Sequence, residues 1–142
     1  MSIILRVKKL NPRAVLPRYA IAGDAGLDLF CIEDTTIPPG ERYIFHTGIA
    51  MEIPPGHVGL VWDRSGHANR RGLKVFGGVF DSGYRGEILP CLYNSTQEPV
   101  TIKEGSAVAQ MLIQAVEQVE VTEVQELSES GRGERRFAST GF

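Results

Sequence analysis

Cysteine is scarce in this chain: Cys31 and Cys91 are the only two among 142 residues. They lack the paired spacing of a metal knuckle or a disulfide framework, and two isolated thiols fit a reducing compartment. An excess of charge of one sign is missing too. The net charge of −2 argues against a general affinity for duplex nucleic acid or an anionic membrane. Long apolar runs are missing as well, and no uncharged stretch approaches the ~18 residues of a membrane span. The N-terminal MSIILRVKKL carries charge within its first six residues and has no apolar h-region, so no secretory leader is expected. There is no internal repeat and no low-complexity segment. These absences together predict a cytoplasmic protein with neither a nucleic-acid nor a membrane partner.

What is present reads as mostly β. The length suggests one domain, and 42% apolar residues suffice for an ordinary core. Short runs rich in Val, Ile, Leu and aromatics are broken by turn signals. Two Pro-Pro-Gly turns, at 38–40 and 54–56, bracket ERYIFHTGIAMEI, which suits a hairpin or a strand between tight turns. HVGLVW and LKVF alternate, and GEILPCLYN ends at an Asn-Ser turn. The stretch 107–117 stays open on pattern alone, because Val108, Met111, Leu112, Ala115, Val116 and Val119 fit a helical period better than a strand period. VEVTEV, which follows, alternates as a strand. From Leu127 the chain turns polar and glycine-bearing, which predicts a flexible terminal arm. The expectation is an all-β barrel or sandwich over residues 1–127, with an arm over 128–142.

Five segments can carry chemistry. GGVFDSGYRGEI (77–88) places Asp81 three residues before Tyr84, between glycines. Glycines let a hairpin backbone approach a ligand closely, and a single Asp there can deprotonate a water. In AGDAGLDLF (22–30), Asp24 and Asp28 lie four apart among small residues. One well-placed Asp can suffice near Mg²⁺, which keeps several waters. In WDRSGHANRRG (62–72), Arg64, Ser65 and Gly66 offer a donor fork, a hydroxyl and an unhindered N–H to phosphate oxygens. His67 beside them reads as a packing or capping residue. In EGSAVAQML (104–112), Gln110 is an amide inside an apolar run, facing either solvent or a ligand. In GRGERRFASTGF (131–142), Arg132, Arg135, Arg136, Ser139 and Thr140 surround Phe137, mixing anion-binding groups with an aromatic that can stack on a base.

In order and near-usual spacing, AGLDL (25–29), RSGHA (64–68), GGVFDSGYRGE (77–87), GSAVAQML (105–112) and RGERRFASTG (132–141) resemble the five motifs of the trimeric dUTPase family. The resemblance spans nearly the whole chain. It implies a jelly-roll-like β-barrel with a strand at 107–117, assembled as a homotrimer with shared active sites, each closed by a C-terminal arm. It further implies hydrolysis of dUTP to dUMP and pyrophosphate with Mg²⁺. By that resemblance Asp28 would hold water around the metal. Arg64, Ser65, Gly66 and Gln110 would bind phosphates, and the backbone of Gly78 and Val79 would read uracil. Tyr84 would pack under the deoxyribose and Asp81 would activate the water. Arg132, Ser139 and Thr140 would clamp the phosphates while Phe137 stacks on the base.

The chain departs from the family pattern in places. Asp63 stands where Pro is usual, His67 where Leu is common, and Arg135-Arg136-Phe137-Ala138 where Gly-Gly-Phe-Gly is usual. The alternatives are a pyrophosphatase for another deoxynucleotide, a relative of the dCTP deaminases, and a non-enzymatic nucleotide-binding regulator. The deaminases need a Glu where Cys91 stands.

Overall fold

The computed structural model of the protein describes residues 2–137 and 140–141. Eleven strands and one short helix follow in chain order. They are β1 (Arg6–Lys9), β2 (Leu27–Phe30), β3 (Thr35–Ile37), β4 (Arg42–Ile44), β5 (Ile49–Glu52), β6 (His57–Trp62), α1 (Ser65–Arg71), β7 (Leu73–Phe76), β8 (Val79–Phe80), β9 (Cys91–Asn94), β10 (Val100–Ile102) and β11 (Ala107–Ala115). A four-stranded sheet runs β2-β11-β6-β8 and a three-stranded sheet runs β4-β9-β7. The pairs β1-β5 and β10-β3 complete the body. All named strand pairs are antiparallel, in a jelly-roll-like arrangement.

Side-chain alternation decides which face each strand buries. On β7, Leu73 and Val75 point inward while Lys74 and Phe76 face out. On β9, Leu92 and Asn94 are buried between half-buried Cys91 and Tyr93. The inward residues meet in one core that includes Leu29, Ile37, Phe45, Ile49, Leu92, Ile102, Val108 and Met111. Asn94 is the polar member of that interior. Its amide donates to the Ile37 carbonyl at 3.0 Å and the Glu98 carbonyl at 2.7 Å, and its Oδ1 accepts from Thr96. Fully satisfied in this way, it can be buried without penalty.

The open stretch 107–117 is a strand over Ala107–Ala115. Its helix-like apolar spacing has a physical cause. The register against β2 slips between Ala107 and Ala109, and a bulge of this kind inserts one extra residue. Val108 and Ala109 are therefore both buried although adjacent, which breaks the period of two.

Two other expectations are corrected. ERYIFHTGIAMEI is not a hairpin: β4 pairs with β9, whereas β5 pairs with β1. The chain crosses between sheets at Thr47-Gly48. Gly48 has φ 67°, and a Cβ there would lie 3.0–3.3 Å from Asn11, Ala14 and Ile32, so only glycine turns this corner. VEVTEV forms no strand, and its valines are exposed, Val119 by 79% and Val121 by 89%. Alternation makes a strand only when another strand accepts its hydrogen bonds, and within this single chain the segment pairs with none.

Glu87 braces the crossing. Its Oε1 accepts the Gly48 N–H at 2.9 Å, and its Oε2 meets His46 Nδ1 at 2.7 Å. Buried Thr47 donates its hydroxyl to the Ile88 carbonyl at 2.6 Å. The hydrogen bond from Glu87 raises the His46 pKa above its ordinary 6.5, outweighing slight burial. The folded chain thus holds this proton more tightly than the unfolded chain. The pair's stabilisation is fully present below the unfolded value and is lost as pH rises through the raised folded value. His46 is half exposed, so the effect is that of a surface pair, on the order of 0.2–1 kcal/mol. His46→Gln should lower Tm by about 1–4 °C at about pH 5.5 and by nothing measurable near pH 9. Thermal melts across that range check this, and a pH-independent difference contradicts it.

Candidate active site

Gln110 is the point where three segments meet. On β11 it lies opposite Asp28 of β2 and opposite Trp62 of β6. That register brings residues far apart in sequence around one cavity of about 290 Å³, lined by Asp24, Asp28, Arg64, Ser65, Gly66 and Gln110 among others. Gly26 lies against Gln110, and a Cβ at this position would collide with the Gln110 amide.

Asp28 is the buried acid of the cavity, and its Oδ1 pairs with Arg64 Nε at 3.1 Å. Arg64 can reach it because the chain leaves β6 still extended, with φ −83° and ψ 132° at Arg64, before α1 begins at Ser65. Anchoring by Nε alone leaves the two terminal nitrogens of the guanidinium as a fork for an anion. Ser65 and Gly66 are exposed beside it. Asp24 has a local task instead, since its Oδ2 accepts the Ile21 N–H at 2.9 Å and closes a turn.

Among the described residues no group of three or more His, Cys, Asp or Glu could hold a metal ion. Mg²⁺ asks for less: it keeps several waters and takes one or two carboxylates plus phosphate oxygens. Asp28, which shares only Oδ1 with Arg64, fits that modest demand.

β8 pairs with β6, and Gly77-Gly78 joins it to β7, which pairs with β9 instead, so the expected hairpin is a crossing between two sheets. The Gly78 carbonyl accepts the Val61 N–H at 2.7 Å. A Cβ at Gly78 would run into the Val61 carbonyl, so glycine is required for this approach. With its carbonyl committed, Gly78 has its N–H to offer a ligand. Val79 follows with 67% exposure. β8 then leads into a turn closed by the Tyr84 N–H donating to the Asp81 carbonyl at 3.1 Å. Tyr84 is fixed at both ends. Its hydroxyl donates to the Glu87 carbonyl at 2.8 Å, and its ring meets Phe80 edge to face at 5.8 Å. Asp81 is exposed, and no ion pair among the described residues engages it.

The two clusters do not share a pocket within one chain. Phe80 pairs with Gly59, so Asp81 lies past that level, towards the start of β6, while Arg64 follows its end. At about 3.3 Å per residue, roughly 13 Å of strand separate the levels of Asp81 and Trp62. None of Gly78, Val79, Asp81 and Tyr84 lines the cavity of Arg64.

Among the described residues the arm makes no hydrogen bond or ion pair to either cluster of its own chain. Arg132 donates to the Arg135 and Arg136 carbonyls, and Arg135 donates to the Arg132 and Gly131 carbonyls. Phe137 is 95% exposed and Thr140 is exposed. Ser139 lies outside the described residues.

His67 has a structural task. Its Nε2 faces the Ala107 carbonyl at 2.8 Å, which fixes the proton on Nε2. Nδ1 is buried without a hydrogen-bond partner. Burial, with Arg71 and Arg64 adding to it, pushes the pKa below 6.5. Two further residues shape the site: Glu87, which sequence reasoning did not single out, and Asp63, which it noted only as standing where Pro is usual. Glu87 seats Tyr84 through its carbonyl, and Asp63 fastens the loop before Arg64. Each is a charged residue beside an apolar run, a signal too common to mark either one.

Comparison with known proteins agrees with the five-motif resemblance. The family model described as dUTPase matches residues 13–141. A deoxyuridine 5'-triphosphate nucleotidohydrolase of Clostridium kluyveri is 48% identical over 139 residues, covering 96% of this chain and 97% of that protein. Its counterpart in Thermobifida fusca is 45% identical over 143 residues, covering 99% of this chain and 80% of that one. Among solved structures, the dUTPase of Staphylococcus bacteriophage 80alpha with dUPNHPP superimposes with a TM-score of 0.93 at 28% identity, covering 99% of this chain and 100% of that one. A mutant dUTPase from phage phi11 of S. aureus, described as coordinating a structural Mg(II) ion, reaches a TM-score of 0.83 at 26% identity over 89% of this chain and 100% of that one. Matched along almost its entire length by family, sequence and fold, the chain belongs to the dUTPase family.

Proposed function

We propose that this protein hydrolyses dUTP to dUMP and pyrophosphate by in-line attack of water on the α-phosphorus, in sites shared between the subunits of a homotrimer. The observation that carries the reading is the pairing of an anion fork with an uncommitted acid. Arg64, Ser65 and Gly66 line one cavity with Asp28 and Gln110, and Asp81 stands exposed beside a rigidly held Tyr84. Family membership supplies the substrate class.

In this reading the Arg64 fork, the Ser65 hydroxyl, the Gly66 N–H and Gln110 bind the phosphates. The backbone at Gly78 and Val79 reads the uracil edge, and Tyr84 lies under the deoxyribose, where it excludes a 2′-hydroxyl. Asp81 accepts the proton of the attacking water as the water oxygen bonds to the α-phosphorus and pyrophosphate leaves. Asp28 holds water around Mg²⁺, which when bound would neutralise phosphate charge. The chemistry needs no covalent intermediate. Positioning and electrostatic stabilisation carry most of such a reaction.

Two features support shared sites. Asp81 and Arg64 lie at opposite ends of β6 in one chain, a separation that supports sites completed by a neighbouring subunit. Past β11, Val116, Val119, Val121, Val124 and Leu127 are 42–89% exposed, as expected of a segment that packs on another copy. Residues 1–127 then form the body and 128–142 the arm. Arg132, Ser139 and Thr140 clamp phosphates when the arm closes, and Phe137 stacks on uracil. Among the described residues no helix is long and apolar enough to cross a membrane. The two free thiols support a cytoplasmic setting.

A pyrophosphate-release assay over dUTP, dCTP, dTTP and UTP with Mg²⁺ tests the reaction. Turnover should be confined largely to dUTP, and equal turnover of dCTP or UTP overturns the reading. Asp81→Asn keeps the shape of the acid but cannot take a proton, so turnover should fall by at least ~10²-fold while dUPNHPP binding persists. Near-normal turnover in that variant means that Asp81 is not the base.

A further inference from the structure

Asp63 makes three connections at once. Its Oδ1 accepts the Val75 N–H at 2.6 Å, and its Oδ2 pairs with Lys74 Nζ at 2.9 Å. Its backbone carbonyl accepts from Gln110 Nε2 at 2.8 Å. The residue directly precedes Arg64. Val75 lies on β7, the strand that runs through Gly77 and Gly78 into β8. One aspartate thus fastens the entry to the phosphate-binding loop, the strand feeding β8, and the amide in the cavity.

The connections differ in strength. Lys74 is half exposed, and surface pairs of this kind contribute little. The short bond from a backbone N–H to an ionised carboxylate is charge-assisted and belongs to the stronger class. Its donor is on the backbone, so it fixes the strand itself rather than a side chain. The carbonyl bond from Gln110 holds the other end of the peptide unit that leads to Arg64.

We infer that Asp63 is a positioning residue that holds the β7–β8 connection at Gly77-Gly78 and the phosphate-binding loop of each chain in fixed relation through its bond to the Val75 N–H. Both pieces must keep their places whichever subunit completes each site. Asp63 acts through Arg64 and β7 and does not touch substrate. The inference rests on the functional reading above for its kinetic consequence, while the bond itself can be tested without activity.

The test compares Asp63→Ala, Asp63→Asn and Lys74→Met with the full-length wild type, by steady-state kinetics on dUTP and by amide hydrogen exchange at Val75. Asparagine keeps an oxygen for the Val75 N–H, and alanine removes it. In Asp63→Ala, KM should rise about tenfold, kcat should stay within about threefold because the bonds of Asp63 go to Lys74, Val75 and Gln110 and not to the Asp81 turn itself, and Val75 exchange should quicken at least tenfold, by the same loss of a bond. Asp63→Asn should restore both slow exchange and a near-normal KM, and Lys74→Met should change neither. Unaltered KM in Asp63→Ala, or a KM defect with Val75 still protected, overturns the inference. So does an Asp63→Asn variant as impaired as the alanine. Should the wild type fail to turn over dUTP, the functional reading falls, and Val75 exchange alone still decides whether the bond exists.

Discussion

The site depends on one strand having two neighbours. β11 hydrogen-bonds to β2 on one side and β6 on the other, and Gln110 and Met111 have partners in both registers, Gln110 opposite Asp28 and Trp62. Because side chains alternate with a period of two, a slip of one residue on either side would turn Asp28 or the end of β6 away from the cavity. The register is held from below by Val108, Ala109 and Met111, all buried. The bulge at Ala107–Ala109 sets the phase in which Gln110 emerges. Core packing and site assembly are therefore the same constraint seen from two faces of the sheet.

On that platform the electrostatics are economical. A buried acid needs a counter-charge, and Arg64 supplies it to Asp28 with one nitrogen. The same pairing orients the guanidinium before any substrate arrives, which lowers the entropy cost of binding an anion. Asp81 is arranged in the opposite way, exposed and outside any ion pair among the described residues. A carboxylate already committed to an arginine would be a poor proton acceptor. The contrast between the two acids is what the proposed division between a binding role and a basic one rests on.

Much of this was legible in the sequence because the motifs are short and local. Arg64-Ser65-Gly66 and Asp81 through Tyr84 declare their donors and acids within a few residues, alternation located β6 and β7, and the Asn-Ser turn marked the end of β9. Other features were hidden for physical reasons. The helix Ser65–Arg71 has seven residues and none of them buried, so it left no amphipathic pattern to read. The stretch around Gly48 split between two sheets because a packed, positive-φ glycine allowed the crossing, which no hairpin rule anticipates. The bulge disguised β11 as a possible helix. The second role of Glu87 and the three connections of Asp63 arise only when residues tens of positions apart meet, and a single sequence does not record such meetings.

The central claim is that an activated water attacks the α-phosphorus of dUTP. Turnover in water enriched in heavy oxygen, followed by mass analysis of the products, tests it most directly. The account predicts the label in the phosphate of dUMP, with unlabelled pyrophosphate. Label in pyrophosphate instead would place the attack on the β-phosphorus, and the roles assigned to Asp81 and Arg64 would then be wrong.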